Sequence, residues 1–565
     1  MLLILLSWLY ILTISSIIGV SINRVLQSQK QDAIITIFFG FFGVTLLASI
    51  WAIPFAINGF FHIFLLLITS SLAFLNRKEI VAFYCQLKIK LLELSTFFKI
   101  ALGLISVLIL AQSASPPFVI DNESYYIQTI KWLNEFGFVN GLVNLHVFLG
   151  QTSGWHIVQS AFNFSFMYNS FNDLSALALV LGNVYAIFKL HDYISKKDSS
   201  KENLIFGLFP IANVFFFQFI SAPSPDIAIY VLSFILLHQF ILCYSSYTKQ
   251  AFFTVVLLSF FMAFIKLTAL PFCIFALVLY KRYFIFTRNT SSIIVLFGSL
   301  TLLLFAIKNV IVTGNLVFPL QGIESLKTSW SLPESIETYF ANYTKPYAYH
   351  LTAEAFENAS YLTKLKSWLL APSLHGVFNK LIIVLLAVIP FIIAKSKNKK
   401  AFFIIYVVSV ITMVFLLLTS PQYRFFFPFI LCFSLWIASK LLVHKKSIQV
   451  VIVLSVILAA IPLFFKLNNQ HITNNKQLAV SSTFSSEYLI TPYKNSKYSE
   501  DYQTIPLENT SIHTPNNVDF FWGTGNIPLP ALNQEQLDFF KTHFKVIPQQ
   551  RSEDLKDGFY GKELE

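Results

Sequence analysis

Phe118-Val119-Ile120-Asp121-Asn122-Glu123-Ser124-Tyr125-Tyr126 places two carboxylates directly behind an apolar segment, at the entrance to the first long polar loop of the chain. An ionisable group held beside hydrocarbon is costly, and crossing a bilayer does not require one, so its presence points to function. The apolar segment before it is one of many.

Of the 565 residues, 56% are hydrophobic and 12% charged, so water is not the solvent for most of the chain. Apolar runs long enough to cross about 30 Å of hydrocarbon, roughly 17–25 residues each, begin near Leu2, Ala33, Phe55, Phe97, Leu174, Leu204, Ile227, Ala251, Thr268, Ser292, Val377, Ala401, Phe425 and Gln449. These runs predict an all-α polytopic membrane protein of about 12–14 transmembrane helices. The first twenty residues lack a basic n-region and a small-residue cleavage site, and read as a retained first helix.

A formal net charge of +12 would suit nucleic acid if it were gathered on one patch, but it is not. Arg24 and Lys30, then Arg77, Lys78, Lys88 and Lys90, then Lys196, Lys197 and Lys201, then Lys249, Lys281, Arg282, Arg288, Lys395–Lys400 and Lys445–Lys446 fall in alternate connections. That is the positive-inside pattern. It places the N-terminus, loops 115–172 and 313–376, the Ser221–Asp226 and Thr419–Arg424 turns and the C-terminal tail outside the cytoplasm, and argues against a nucleic-acid partner. The weight of Phe, Ile, Lys and Asn suits an AT-rich bacterial genome, hence a bacterial cytoplasmic (inner) membrane with the active face and tail extracytoplasmic.

Two units follow: a transmembrane domain over 1–467 and an extracytoplasmic C-terminal domain over 468–565. In the first loop Tyr126, Ile130, Leu133 and Phe136 recur at helical spacing, predicting an interfacial amphipathic helix stopped by Gly137 and Gly141. Leu142–Phe166 reads as re-entrant or interfacial helix. The tail mixes turn signals with a helical pattern over Gln534–Phe544 and reads as a small α+β appendage. The four cysteines are too scattered for a disulfide framework or a Cys-rich metal site.

Three acids are candidates for chemistry. Asp121 and Glu123 read either as the cap and first turn of the loop helix or as a general base with a partner that orients the acceptor. Asp226 follows Pro225 at the start of the next span and reads either as an N-cap or as a third member of the group. Together the three offer oxygen ligands of the kind Mg²⁺ or Mn²⁺ takes. Lys266 interrupts an apolar stretch and either snorkels or meets a phosphate. Arg424, whose planar fork suits phosphate oxygens, and Lys308 stand at similar boundaries. Tyr125, Tyr126, Trp155 and His156 are candidate acceptor or sugar contacts. His146, His156, His350 and His375 lack zinc spacing, and there is no Walker loop, dinucleotide fingerprint or nucleophile elbow.

Taken together, Asp121 with Glu123, Asp226, Lys266, the Lys308-Asn309 to Gly314-Asn315 element and Arg424 resemble the GT-C superfamily of membrane glycosyltransferases. Residues about 115–440 also look like a bacterial family of multi-spanning proteins placed near that superfamily. The resemblance implies a GT-C-like fold and a polyprenyl-linked sugar donor. It also implies a glycan, lipid or protein acceptor reached from outside, a first-loop acid as base, and Lys266, Arg424 and Lys308 on the donor phosphate. Asp-Asn-Glu replaces the adjacent Asp-Glu of several members, so either Asp121 or Glu123 is the base.

Two other functions fit a chain of this shape. A polymerase or ligase of lipid-linked glycans would rely on basic outer loops, whereas the first loop is acidic. A flippase or transporter for the lipid carrier would place its charges at the bilayer midplane between interrupted helices, whereas these gather at one boundary.

Overall fold

The computed structural model describes residues 1–28, 31–167, 171–196, 200–287, 290–319, 327–470 and 479–565. Lys30, Lys197 and Arg288, which the charge alternation invokes, lie outside them.

Among the described residues eleven helices are long and apolar enough to cross a bilayer, or twelve if the bent pair Gly59–Leu75 and Arg77–Glu93 is one broken span. The chain is a multi-pass membrane protein. The apolar run at Phe55 leads into that pair, whose halves meet at 89°. Its second half carries Arg77, Lys78, Lys88 and Lys90 and exposes Val81, Tyr84, Ile89 and Leu92. Basic residues beside exposed apolar ones suit a helix lying in the interface. The run at Ala251 becomes the helix Lys249–Ile265, 17 residues long. The run at Thr268 becomes the 3₁₀ turn Leu267–Phe272 followed by the short helix Cys273–Arg282. Pro271 lies in that turn, where it has no N–H to give and its ring crowds the preceding turn. The apolar stretch is there, but it is not one helix.

The two ends of the bundle differ. At one, Lys90 and Lys189 each approach Asp32, the N-cap of the helix Ala33–Ala52, at 3.3 Å. Arg24 donates to Asn76 Oδ1 at 2.7 Å at the same end. The other, the loop face, carries the first loop and the tail, and there the Met1 ammonium donates to the Tyr488 carbonyl. The first two helices approach closely. A Cβ on Gly19 would lie 1.9 Å from the Thr36 carbonyl oxygen and one on Gly40 would lie 1.8 Å from that of Ser15, a small-residue contact of the kind that lets membrane helices pack backbone to backbone.

On the loop face a π-helical turn, Asn122–Tyr126, runs into the helix Ile127–Glu135. That helix ends where Gly137 takes φ +76°. Leu142–Phe166 holds two 3₁₀ turns and the helix Gly154–Ala161, nearly all buried. The tail forms two antiparallel hairpins, β1 (Tyr502–Pro506) with β2 (Ser511–Pro515) and β3 (Val546–Gln550) with β4 (Phe559–Glu563), and the helix Gln534–Phe544.

The tail is sewn onto the first loop. Gln128 Nε2 donates to the Gly525 carbonyl at 2.9 Å, and the amides of Thr524 and Gly525 both donate to the Glu123 carbonyl at 2.9 Å. The Lys556 ammonium reaches the carbonyls of Phe136 and Phe138 at 2.7 and 2.8 Å. Those carbonyls lie just past a helix C-terminus, where the dipole favours a cation.

Candidate functional site

Asp121 stands at the N-terminal boundary of the π turn, yet its side chain makes no capping bond. Its Oδ2 instead accepts from Arg424 Nη1 at 2.8 Å. Arg424 occupies the first turn of the helix Tyr423–Leu441, where the same Nη1 lies 3.7 Å from Asp226 Oδ2. Asp226 is in the first turn of the helix Pro225–Ser245, and its other oxygen accepts from the Lys266 ammonium. Lys266 marks the break between Lys249–Ile265 and the 3₁₀ turn, with extended backbone at φ −155° and ψ 128°. Four segments far apart in sequence thus join a network in the order Asp121, Arg424, Asp226, Lys266.

The network is held from beneath. Arg424 Nε donates to Gln422 Oε1 at 2.9 Å and the Arg424 carbonyl accepts from Tyr230 at 3.1 Å. The Phe425 ring lies 4.4 Å from the Lys266 ammonium and 5.2 Å from the Arg424 guanidinium, within cation–π range of both. Two acids and two bases sum to zero, which removes most of the penalty of gathering charge at an apolar boundary. The four side chains keep between 13% and 33% of their surface accessible. Each pair is therefore worth less than the roughly 4 kcal/mol of two unit charges 4 Å apart at an effective dielectric of 20, and the network stays open to an incoming ion.

Two aromatic walls flank it. On the first, Tyr126 donates to Asp121 Oδ2 at 3.5 Å, and its ring lies 4.7 Å from those of Tyr125 and His156. Burial, then the charges of Lys308 and Lys266, push His156 down to about 3, so its ring is neutral. Among the described residues neither ring nitrogen reaches a partner at hydrogen-bonding geometry, although the Pro223 carbonyl lies near enough to act on the ring. The second wall escaped the sequence reading. His350 and His375 pack at 4.9 Å, and His375 meets Tyr423, the neighbour of Arg424, at 5.0 Å. Only their positions near helix ends on the same face hint at this.

Three candidates lie elsewhere. Glu123 is two residues beyond Asp121, about 200° around a helix, and points the opposite way. Its carboxylate accepts from the Lys497 amide at 2.8 Å and from the Ser496 hydroxyl, in the tail. Lys308 is buried, donating to the Thr152 carbonyl at 2.6 Å. Trp155 is fully buried, its indole N–H on Ser175 and its ring against Phe41 and Phe261, so it offers no surface to a sugar.

The oxygen-ligand metal site expected of Asp121, Glu123 and Asp226 does not form. Glu123 has turned away, and Asp121 and Asp226 share Arg424. Among the described residues no three His, Cys, Asp or Glu side chains gather where they could hold an ion. A cavity between Pro116 and Lys497 is lined by none of the four network residues.

A family model described as Domain of unknown function (DUF8201) matches residues 1–431. The chain belongs to the DUF8201 family. The DUF8201 match takes in Asp121, Asp226, Lys266 and Arg424 and stops before the C-terminal domain, so the whole ion network lies within the family region. No curated protein and no solved structure matches the chain.

Proposed function

We propose that the protein is a membrane glycosyltransferase that takes a sugar from a polyprenyl-phosphate-type lipid and passes it to an acceptor on the extracytoplasmic side of a bacterial cytoplasmic membrane. The observation that carries this reading is the chain of ion pairs through Asp121, Arg424, Asp226 and Lys266 at an apolar boundary. A carboxylate that already rests on a guanidinium is a base waiting for its cation to be called away.

A phosphate dianion or diester competes with carboxylates for Arg and Lys, and Arg meets it with two parallel donors. Donor phosphate on Arg424 and Lys266 would free Asp121. The acceptor oxygen then attacks the anomeric carbon while the bond from that carbon to the phosphate oxygen breaks. The electron pair leaves with the phosphate, where the two cations stabilise it, and the acceptor proton passes to Asp121. Asp226, still near Lys266, keeps the site from gaining net positive charge between turnovers. Tyr125, Tyr126 and His156 on one side and His375 and Tyr423 on the other would form the walls for sugar and acceptor.

Membranes containing the Asp121→Asn protein, supplied with a polyprenyl-phosphate-linked sugar, should transfer none of it while the protein stays inserted and folded. Undiminished transfer removes Asp121 from the mechanism.

A further inference from the structure

A cavity of about 330 Å³ between the start of the first loop and the tail is left unused by the steps above. One wall is Pro116, five residues before Asp121. The other is the first part of the tail, with Ser482, Thr483, Ser485, Tyr488 and Lys497. Its size is at the small end of ligand pockets, which run from about 300 Å³, and is enough for a monosaccharide-sized group.

The lining is hydroxyl-rich with one cation, and much of it is uncommitted. The Thr483 and Tyr488 hydroxyls make no hydrogen bond among the described residues, and the Ser482 hydroxyl is buried without a partner. Ser485 accepts from the Glu487 amide and keeps its own proton to give. The Lys497 ammonium has the Phe118 ring at 5.5 Å and feels the charge of Glu123 at longer range, but it makes no hydrogen bond or close ion pair among the described residues. Its backbone is fixed, because the Lys497 amide donates to Glu123. A half-buried ammonium with a ring behind it, hydroxyls around it and all three N–H groups unspent keeps its direct contacts for an anion.

We propose that this cavity binds an anionic polyol, a sugar or glycerol unit bearing a phosphate or carboxylate, with Lys497 on the anion and Thr483, Ser485 and Tyr488 on the hydroxyls. A compact ammonium gives a point charge rather than a planar fork, so either anion is accepted, and the hydroxyls supply the selectivity for a polyol. The Lys497 segment is tied through Asn495, Ser496 and Lys497 to Asn122 and Glu123, the residues directly after Asp121. The site is therefore anchored to the backbone segment that carries the candidate base. Its role as the acceptor subsite rests on the transfer reading; the binding itself does not.

The test is calorimetric titration of the purified full-length protein in detergent with glucose 6-phosphate, glucose and inorganic phosphate. Saturable binding of glucose 6-phosphate, tighter than either of the others, is expected. Lys497→Gln should weaken it roughly 10- to 100-fold, the loss of one charge-assisted contact, while Lys497→Arg keeps most of it and shows that the fold survives. Asp121→Asn should bind as the wild type does, even where transfer is abolished, so the two readings fail separately. Competition by phosphatidylglycerol nanodiscs but not phosphatidylcholine ones supports the site and assigns its polyol to a lipid headgroup; competition by neither supports it with a soluble glycan. No saturable binding, equal affinity for inorganic phosphate, or unchanged affinity in Lys497→Gln overturns the proposal.

Discussion

Asp121 and Arg424 are 303 positions apart in the chain and meet at 2.8 Å, the contact that joins the first polar loop to a late helix of the bundle. Because the same guanidinium nitrogen also faces Asp226, Arg424 balances two carboxylates where Lys266 balances one.

That asymmetry orders the effects of removing each cation. Arg424→Ala leaves two acids short of a partner and should destabilise the protein by about 1–3 kcal/mol, below the 3–5 kcal/mol of a fully buried pair because the site is partly accessible. Lys266→Ala should cost less than half as much. Arg424→Lys should recover stability but not transfer, since an ammonium cannot reproduce the fork. Melting temperatures in detergent check the order, and a larger loss from Lys266→Ala would contradict it.

In a double-mutant cycle, Asp121→Asn and Arg424→Gln should be coupled by about 0.5–2 kcal/mol, whereas Asp121→Asn and Lys308→Met should add independently. The reason is geometric: Lys308 spends its ammonium on Thr152 and is not part of the network. Coupling of Asp121 to Lys308 would show that the two share a site in solution.

How much of this was legible depended on the kind of signal. Asp226, Lys266 and Arg424 stand out because each interrupts an apolar run, and three such interruptions at one face of the bundle have few places to go but one another. Glu123 reads with Asp121 because adjacency in a loop suggests adjacency in space. The helix starts earlier than Tyr126, and within a helix residues two apart face away from each other. Its partners, Ser496 and Lys497, lie more than 370 positions later and carry no pattern that points back. Hydropathy makes the interrupted apolar run near Thr268 look like a span because it does not register what Pro271 does to a backbone.

Glu123 tethers the tail, and the tether should depend on pH. Burial raises its carboxyl above the ordinary value despite the hydrogen bonds from Ser496, Lys497 and Asn122 that oppose the shift. A carboxyl raised on folding stabilises most below its unfolded value of 4.5 and loses that contribution as pH rises through its folded value. Tail docking, followed by limited proteolysis, should loosen with rising pH above 4.5 in the wild type. Glu123→Gln should flatten that dependence and stay docked, because its amide oxygen still accepts from the Lys497 amide; Glu123→Ala should release the tail at every pH.

The close approach of the first two helices makes a packing prediction. Gly40→Leu puts a side chain where the Ser15 carbonyl already lies 1.8 Å from a built Cβ, whereas a Cβ on Gly103 in the helix Thr96–Ser113 meets nothing within 4 Å. Gly40→Leu should destabilise by at least about 1–3 kcal/mol, the usual range for overpacking, and Gly103→Leu should be near neutral. Equal melting temperatures for the two variants would mean the helices are not packed this closely.

His156 should make the protein acid-sensitive in a window that no surface histidine would produce. Folding drops it from 6.5 to about 3, chiefly by burial, so between those values the unfolded chain binds a proton that the folded one excludes. Stability is therefore full above 6.5 and falls as pH falls toward 3, by up to ~1.4 kcal/mol per pH unit. The raised carboxyls of Glu123 and Asp173 run in the opposite sense, so the wild-type curve alone mixes the two. The difference from His156→Phe, which keeps a ring against Tyr125 and Tyr126, separates them: the variant should gain on the wild type steadily as the solution is acidified. Parallel melting curves from pH 7 to pH 4 would place His156 in contact with water, and the first aromatic wall would not be the dry surface that its neighbours suggest.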